Sequence, residues 1–334
     1  MSSSAAVPST RSGCCPDVCV PWRRPRAPLS PGRWSGGPPG TPYGRTPVNL
    51  DDLLSLARDA ARAGSRTAVS WRGHAHQLLI QEKAGPDDLV SQADRDTEHA
   101  VRAVLAEHRP HDTVLGEEEG TTTGRSRVRW IIDPIDGTTN YLYGRPDWAV
   151  SVAATDTDGD RLLAGVVIEP ALGLLTEARA GTRTLANGTP VTPLRQHDLD
   201  RVLVELNFGR PGQRPLAGPA VSALLPRVRD LRRGGSAAAA LAQVATGRAD
   251  ALWAPGLQPW DCAAGVLLVQ QAGGTVGDLT GPAPGTWPRS GDVLAAPPAL
   301  WKSLRTLLTP VYPAAEAMRT GRPDSDDANM AGRA

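Results

Sequence analysis

Apolar residues first recur at a helical interval just after Val48: Leu50, Leu53, Leu54 and Leu56, then Ala60 and Ala61. Asp51 and Asp52 stand where the first turn would begin, and acids there complement the positive end of a helix dipole. The spacing predicts a helix that opens the folded part of the chain. A second helix is predicted after Asp94, with Ala100, Val101, Val104 and Leu105 on one face, and the run His108-Arg109-Pro110 ends it because proline cannot continue a helix. The pattern then shortens. Val128 to Ile132, Ala149 to Ala154 and Leu162 to Ile168 are brief apolar runs bounded by Gly, Pro or Asp, and they read as strands.

Between Ala180 and Pro193 the pair Asn187-Gly188 predicts a tight hairpin turn, and Val202 to Leu206 gives another strand. The later half carries an Ala-rich helix from Ala237 to Ala245, a strand from Ala249 to Trp253, and a final helix from about Cys262 to Gln271. Helices and short strands thus interchange along this half of the chain.

Both flanks break the pattern. Residues 1–47 are crowded with Pro, Gly, Ser and Arg, and residues 313–334 are small, polar and charged, so both read as disordered tails around a folded segment over 48–312. Within that segment the chain divides into two halves, about 48–195 and about 196–312. A hydrophobic content of 40% supports a sizeable core. The 36 Lys and Arg nearly balance 35 Asp and Glu, which gives no reason to expect a nucleic-acid or acidic-membrane partner. No stretch approaches the roughly 20 apolar residues of a membrane span, and the N-terminus lacks the apolar region of a secretory signal. A cytoplasmic location with reduced thiols is expected. Cys14, Cys15, Cys19 and Cys262 lack zinc-site spacing and read as incidental thiols.

The candidate chemistry lies in Trp130-Ile131-Ile132-Asp133-Pro134-Ile135-Asp136-Gly137-Thr138-Thr139-Asn140. An apolar strand running into two acids offers hard oxygen ligands of the kind magnesium takes, and Gly-Thr-Thr-Asn lets the backbone turn into a helix start whose free N–H groups favour a phosphate. The spacing excludes an EF-hand loop, which needs ligands at alternating positions. It also excludes the Asp-x-Asp pair of phosphatases with an aspartyl nucleophile.

This run resembles the metal-binding signature of the inositol monophosphatase family. Three further segments match that family in order: Asp88-Leu89-Val90-Ser91-Gln92-Ala93-Asp94, Gly116-Glu117-Glu118-Glu119-Gly120, and Pro259-Trp260-Asp261-Cys262-Ala263-Ala264-Gly265. The resemblance implies an αβαβα sandwich of the sugar-phosphatase type, commonly dimeric, and a lithium-sensitive hydrolase of phosphate monoesters. It implies that Glu117, Asp133 and the Ile135 carbonyl hold one Mg2+, that Asp133, Asp136 and Asp261 hold a second, and that Asp94 and Thr138 orient and deprotonate the attacking water. The amides of Gly137 and Thr138 would bind the phosphate, and Gly235, Ser236, Ala237 and Asp261 would contact the substrate.

Two alternatives accompany that set: a Glu run such as Glu117 to Glu119 is often a solvated surface, and Asp261 stands where it could cap the helix near Cys262. Lys83, one of only two lysines, is placed by the resemblance on a loop near the site, and a surface position without a special role is the other reading. Ala254 stands where inositol-specific members carry a glutamate for substrate hydroxyls. The implied substrate is therefore a small polyol or sugar-like phosphate, of the inositol monophosphate or histidinol phosphate type. Some bacterial relatives also associate with the transcription machinery, which leaves a binding or regulatory protein of the same fold as the competing reading.

Overall fold

The computed structural model describes residues 48–73, 80–85, 88–158, 160–192, 194–195, 198–208 and 214–311, with the side chains of residues 80–90 excepted. Both tails, and with them Cys14, Cys15 and Cys19, lie outside the described residues. The first half consists of α1 (Leu50–Arg72), β1 (Ile80–Gly85), β2 (Asp88–Ser91), α2 (Gln92–His108), β3 (Thr113–Gly116), β4 (Gly120–Thr122), β5 (Val128–Asp136), α3 (Thr138–Leu142), β6 (Ala149–Asp156), β7 (Leu162–Glu169), β8 (Leu174–Arg179), β9 (Leu185–Ala186) and β10 (Thr189–Pro190). The second half adds β11 (Leu203–Leu206), α4 (Arg214–Leu224), β12 (Asp230–Arg232), α5 (Ala237–Thr246), β13 (Ala251–Ala254), α6 (Pro259–Gln271), β14 (Thr275–Gly277), β15 (Val293–Ala296) and α7 (Pro298–Leu308).

Two larger sheets organise these elements. One has eight strands in the order β10-β9-β8-β7-β6-β5-β3-β4, and the other has five in the order β12-β11-β13-β15-β14; β1 and β2 form a separate hairpin. The core clusters define the layers. Leu53, Ala57 and Ala60 of α1 and Val101 and Leu105 of α2 pack with Trp130, Ile132 and Val152 on one face of the large sheet. Its other face, through Ile131, Ala153 and Val167, meets α5 and α6, which in turn cover Leu252, Ala254 and Ala295 of the small sheet. Leu216 of α4 and Trp301 and Leu304 of α7 close the far side against Val204, Trp253 and Leu294. The expected αβαβα sandwich is the fold observed.

The middle helices have no solvent face to spend on polar residues. In α5 every residue from Ala237 to Ala245 except Gln243 is buried, as the all-round apolar composition requires of a helix between two sheets. Small side chains let this layer close up: a Cβ on Gly265 of α6 would lie 2.4 Å from the Leu241 Cβ of α5.

The sequence expectations mostly hold, with displaced ends. The Asn187-Gly188 turn is present, both residues having positive φ (48° and 79°), as a type I′ hairpin needs. The first strand runs on through the acids to Asp136, and α6 begins at Pro259, three residues before the expected start. Helix α6 is not the last, because α7 follows it; its Pro298 at the first helical position and its single buried stripe of Leu300, Trp301, Leu304 and Leu308 are ordinary helix signals.

Candidate active site

Strand β5 carries two of the acids, and a break in its pairing aims them. Asp133 lies opposite Ser151 of β6 and Asp136 opposite Ala149, so three steps on β5 match two on β6. On a regular strand, residues three apart point to opposite faces. The extra residue, a bulge around Pro134 and Ile135, resets that alternation, and proline suits it because a bulge leaves a residue without a ladder partner. The chain then turns at Gly137, whose φ of +91° a side chain would resist, and enters the short helix α3 at Thr138.

Two further acids are supplied by helix starts, and both use the same device. Asp94 occupies the third position of α2, where its Oδ2 accepts from the Ser91 amide (2.8 Å) and hydroxyl (2.6 Å). Asp261 occupies the third position of α6, and its Oδ2 accepts from the Gln258 amide at 2.7 Å. These capping boxes fix each carboxylate by one oxygen. Asp261 is thus not the N-cap anticipated from the sequence; Gln258 is, because Pro259 opens the helix three residues earlier. The other oxygen of Asp94 lies 3.2 Å from the Thr138 hydroxyl, which is also 3.2 Å from the Ile135 carbonyl oxygen.

Carboxylate oxygens of Asp133, Asp136 and Asp261 lie within 4.8 Å of one another. Asp133 is 1% exposed, and its Oδ1 is buried with no hydrogen-bond partner. Burial, and then the charges of Glu117, Asp136, Asp261 and Asp94, hold its carboxyl well above the usual carboxylate range. Burial pushes Asp136 up to about 7, opposed by hydrogen bonds from the Ser236 hydroxyl (2.6 Å) and the Ala238 amide (2.5 Å). An acid cluster left without counter-charge is costly, and a hard cation is the partner that such an all-oxygen donor set fits. The residues present therefore suit a bound divalent metal. Cys262 is buried beside the cluster, and burial followed by the charges of Asp261 and Asp136 raises its thiol pKa, which fits an inert thiol.

The structure brings Asp94, Glu117, Asp133, Ile135, Asp136, Gly137, Thr138 and Asp261 into one region. Gly235, Ser236 and Ala237 join it through the start of α5, where the Ser236 hydroxyl serves Asp136 and also accepts from the Ala239 amide at 3.1 Å. Lys83 lies in β1, in a hairpin with β2, and its side chain is outside the described residues.

Glu98 was not singled out from the sequence. Its carboxylate, fully buried, accepts from the amides of Glu118 (2.8 Å) and Glu119 (3.2 Å) and is paired with Arg102 at 2.7 Å. It thereby holds the backbone that presents Glu117, and Gly116 is required beneath it, since a Cβ there would lie 2.0 Å from Glu98 Oε1. The signal was present in the pattern: an acid on the buried stripe Asp94, Thr97, Glu98, Val101, Leu105 of an amphipathic helix is out of place unless it has partners.

The αβαβα layers thus carry, at the junction of a bulged strand and two helix starts, a carboxylate cluster that could hold a metal ion. Residues 49–314 match the model of the inositol monophosphatase family, and the chain belongs to that family. It is 38% identical over 232 residues to an inositol-1-monophosphatase of Mesorhizobium japonicum, covering 69% of this chain and 86% of the relative. It is 33% identical to the Nus factor SuhB of Haemophilus influenzae, covering 78% of this chain and 97% of that one. Among solved structures, the extragenic suppressor protein suhB of Bartonella henselae aligns with a TM-score of 0.72 at 33% identity, over 77% of this chain and 98% of that chain.

Proposed function

We propose that this protein is a Mg2+-dependent phosphate monoester hydrolase acting on a small polyol or sugar-like phosphate. The observation that carries this reading is the buried, unpartnered Asp133 oxygen among other acids, a donor set that a divalent cation fits. In this reading Glu117, Asp133, the Ile135 carbonyl, Asp136 and Asp261 hold the ions. Bound magnesium would lower the pKa of water, neutralise the phosphate and stabilise the leaving alkoxide.

The residues of the chain supply the rest. Thr138 stands between the cluster and Asp94, so its hydroxyl can take a proton from the attacking water and pass its own to Asp94 Oδ1. The hydrogen bonds from Ser91 fix Asp94 through Oδ2, and Oδ1 accepts from the Thr138 hydroxyl, the path by which the proton would arrive. The Gly137 and Thr138 amides, at the start of α3, would face the phosphate, and the Gly235–Ala237 turn would face the alcohol part. As the water oxygen bonds to phosphorus, the ester P–O bond breaks, and the leaving alkoxide takes a proton from solvent, to which Asp94 returns the one it received. The Nus factor names among the relatives favour, as a second reading, an association with the transcription machinery by the same fold.

A panel of metabolite phosphates assayed for inorganic phosphate release with magnesium tests the substrate class. Release from inositol monophosphate, histidinol phosphate or a sugar phosphate is expected, and a panel that yields none would contradict the reading.

A further inference from the structure

The wall beside the acid cluster contains an unused acceptor. In β11, Val204, Leu206 and then Phe208 face the outer core with α4 and α7. By the two-residue period of a strand, Glu205 and Asn207 face the other way, toward α5 and α6. Neighbouring β13 shows the same division, with Ala251 and Trp253 outward and Leu252 and Ala254 inward. The two strands are parallel and pair Glu205 with Leu252 and Leu206 with Trp253; the next step, marked by the Asn207 amide donating to the Trp253 carbonyl at 3.1 Å, sets Asn207 beside Ala254.

This position lies at the carboxyl ends of parallel strands, where open α/β sheets place their ligands. One step back on the same face, the Glu205 carboxylate accepts from the Gly234 amide at 3.2 Å, immediately before the Gly235-Ser236 turn whose hydroxyl holds Asp136. Asn207 is only 6% exposed, yet its Oδ1 is buried without a hydrogen-bond partner. A buried amide oxygen left unpaired is costly and rare. Ala254 alongside supplies no donor for it.

Resting on the phosphatase reading, we infer that Asn207 is a specificity-determining residue whose Oδ1 accepts a hydrogen bond from a hydroxyl or ammonium group on the alcohol part of the substrate. The neighbouring Glu205 carboxylate adds a second acceptor to this wall. Such a wall selects donor-bearing alcohols over bare ones.

The experiment compares the full-length wild type with Asn207→Ala and Asn207→Ser at saturating magnesium on inositol monophosphate, histidinol phosphate and p-nitrophenyl phosphate, whose alcohol part has no donor. Asn207→Ala is expected to raise KM about five- to tenfold for a donor-bearing ester with little change in kcat, and to leave p-nitrophenyl phosphate unchanged. Asn207→Ser, which restores an oxygen, should recover part of the loss. An effect on inositol monophosphate alone identifies hydroxyl donors, and one on histidinol phosphate alone identifies the amine. Equal changes on all three esters together with a lower Tm, or no change on either donor-bearing ester, overturn the assignment of Asn207 while leaving phosphatase activity intact. A wild type that releases phosphate from no ester of the metabolite panel removes the phosphatase reading itself, and this inference with it.

Discussion

The acid cluster and the wall formed by Glu205, Asn207 and Ala254 lie on either side of the Gly235-Ser236 turn, yet they are built on different terms. Each acid of the cluster is fixed by backbone: Asp133 and Asp136 by a bulge, Asp94 and Asp261 by capping boxes, and Glu117 by a loop tied to Glu98. The wall residues are placed by strand position, to which Glu205 adds a side-chain bond from the Gly234 amide. The difference shows where this fold confines change: the carboxylate cluster is tied to local structures that tolerate few sequences, whereas the wall is set by strand pairing.

The largest expected effect breaks the cluster. Asp133→Asn keeps the shape but removes the charge, so kcat/KM should fall on the order of a thousandfold, the scale of losing a central electrostatic group. Without metal the same variant should melt higher than wild type at neutral pH, because the unfolded chain ionises Asp133 while burial and the charges of Glu117, Asp136, Asp261 and Asp94 oppose that form in the fold, a cost the amide does not carry. A metal-free variant that melts lower would show that Asp133 serves the fold rather than a cation.

A smaller effect is expected one step away. Glu98→Gln weakens the charge-assisted hold on the Glu118 and Glu119 amides and the pairing with Arg102, and kcat should drop roughly 10- to 100-fold, as for groups that orient metal ligands. The loss should be partly recovered by raising magnesium, which a simple folding defect would not show. Steady-state kinetics over a magnesium series decide between them.

The smallest effect is on stability, and its sign follows from the raised acids. Between the ordinary value of 3.8 and about 7, folded Asp136 keeps a proton that the unfolded chain releases, and Asp133 is shifted the same way. The folded state then binds more protons, so in EDTA these groups make stability fall as pH rises through that window. Metal binding needs the carboxylates deprotonated, so the gain in Tm from magnesium should grow from pH 5 to pH 7.5. Melting curves with EDTA and with magnesium at both values measure it, and a constant gain would contradict the placement of the ion among these acids.

How much of this was legible in the sequence follows the same division. Asp133 to Asn140 could be read because the strand, the acids and the turn are contiguous, and the buried middle layer could be read from the Ala-rich run at Ala237. Glu98 escaped because the loop amides it serves are 20 and 21 residues away, and nothing local marks an acid on a buried stripe as bonded to a loop. Asn207 escaped for a stronger reason, since only the parallel pairing of β11 with β13 sets it beside Ala254. Helix α7 was missed although its proline start and apolar stripe were present, because the short segments before it carry little periodicity.

The central claim is that the buried carboxylates hold a divalent ion that makes phosphate ester hydrolysis possible. Its most direct test is the release of inorganic phosphate, by wild type and by Asp133→Asn, measured against magnesium concentration from EDTA to saturation on whichever panel ester the wild type hydrolyses best. Saturable dependence on magnesium in wild type, with no release in EDTA and almost none from Asp133→Asn at any concentration, is the predicted result. Equal release in EDTA and in magnesium, or an Asp133→Asn curve that overlays wild type, would contradict the account.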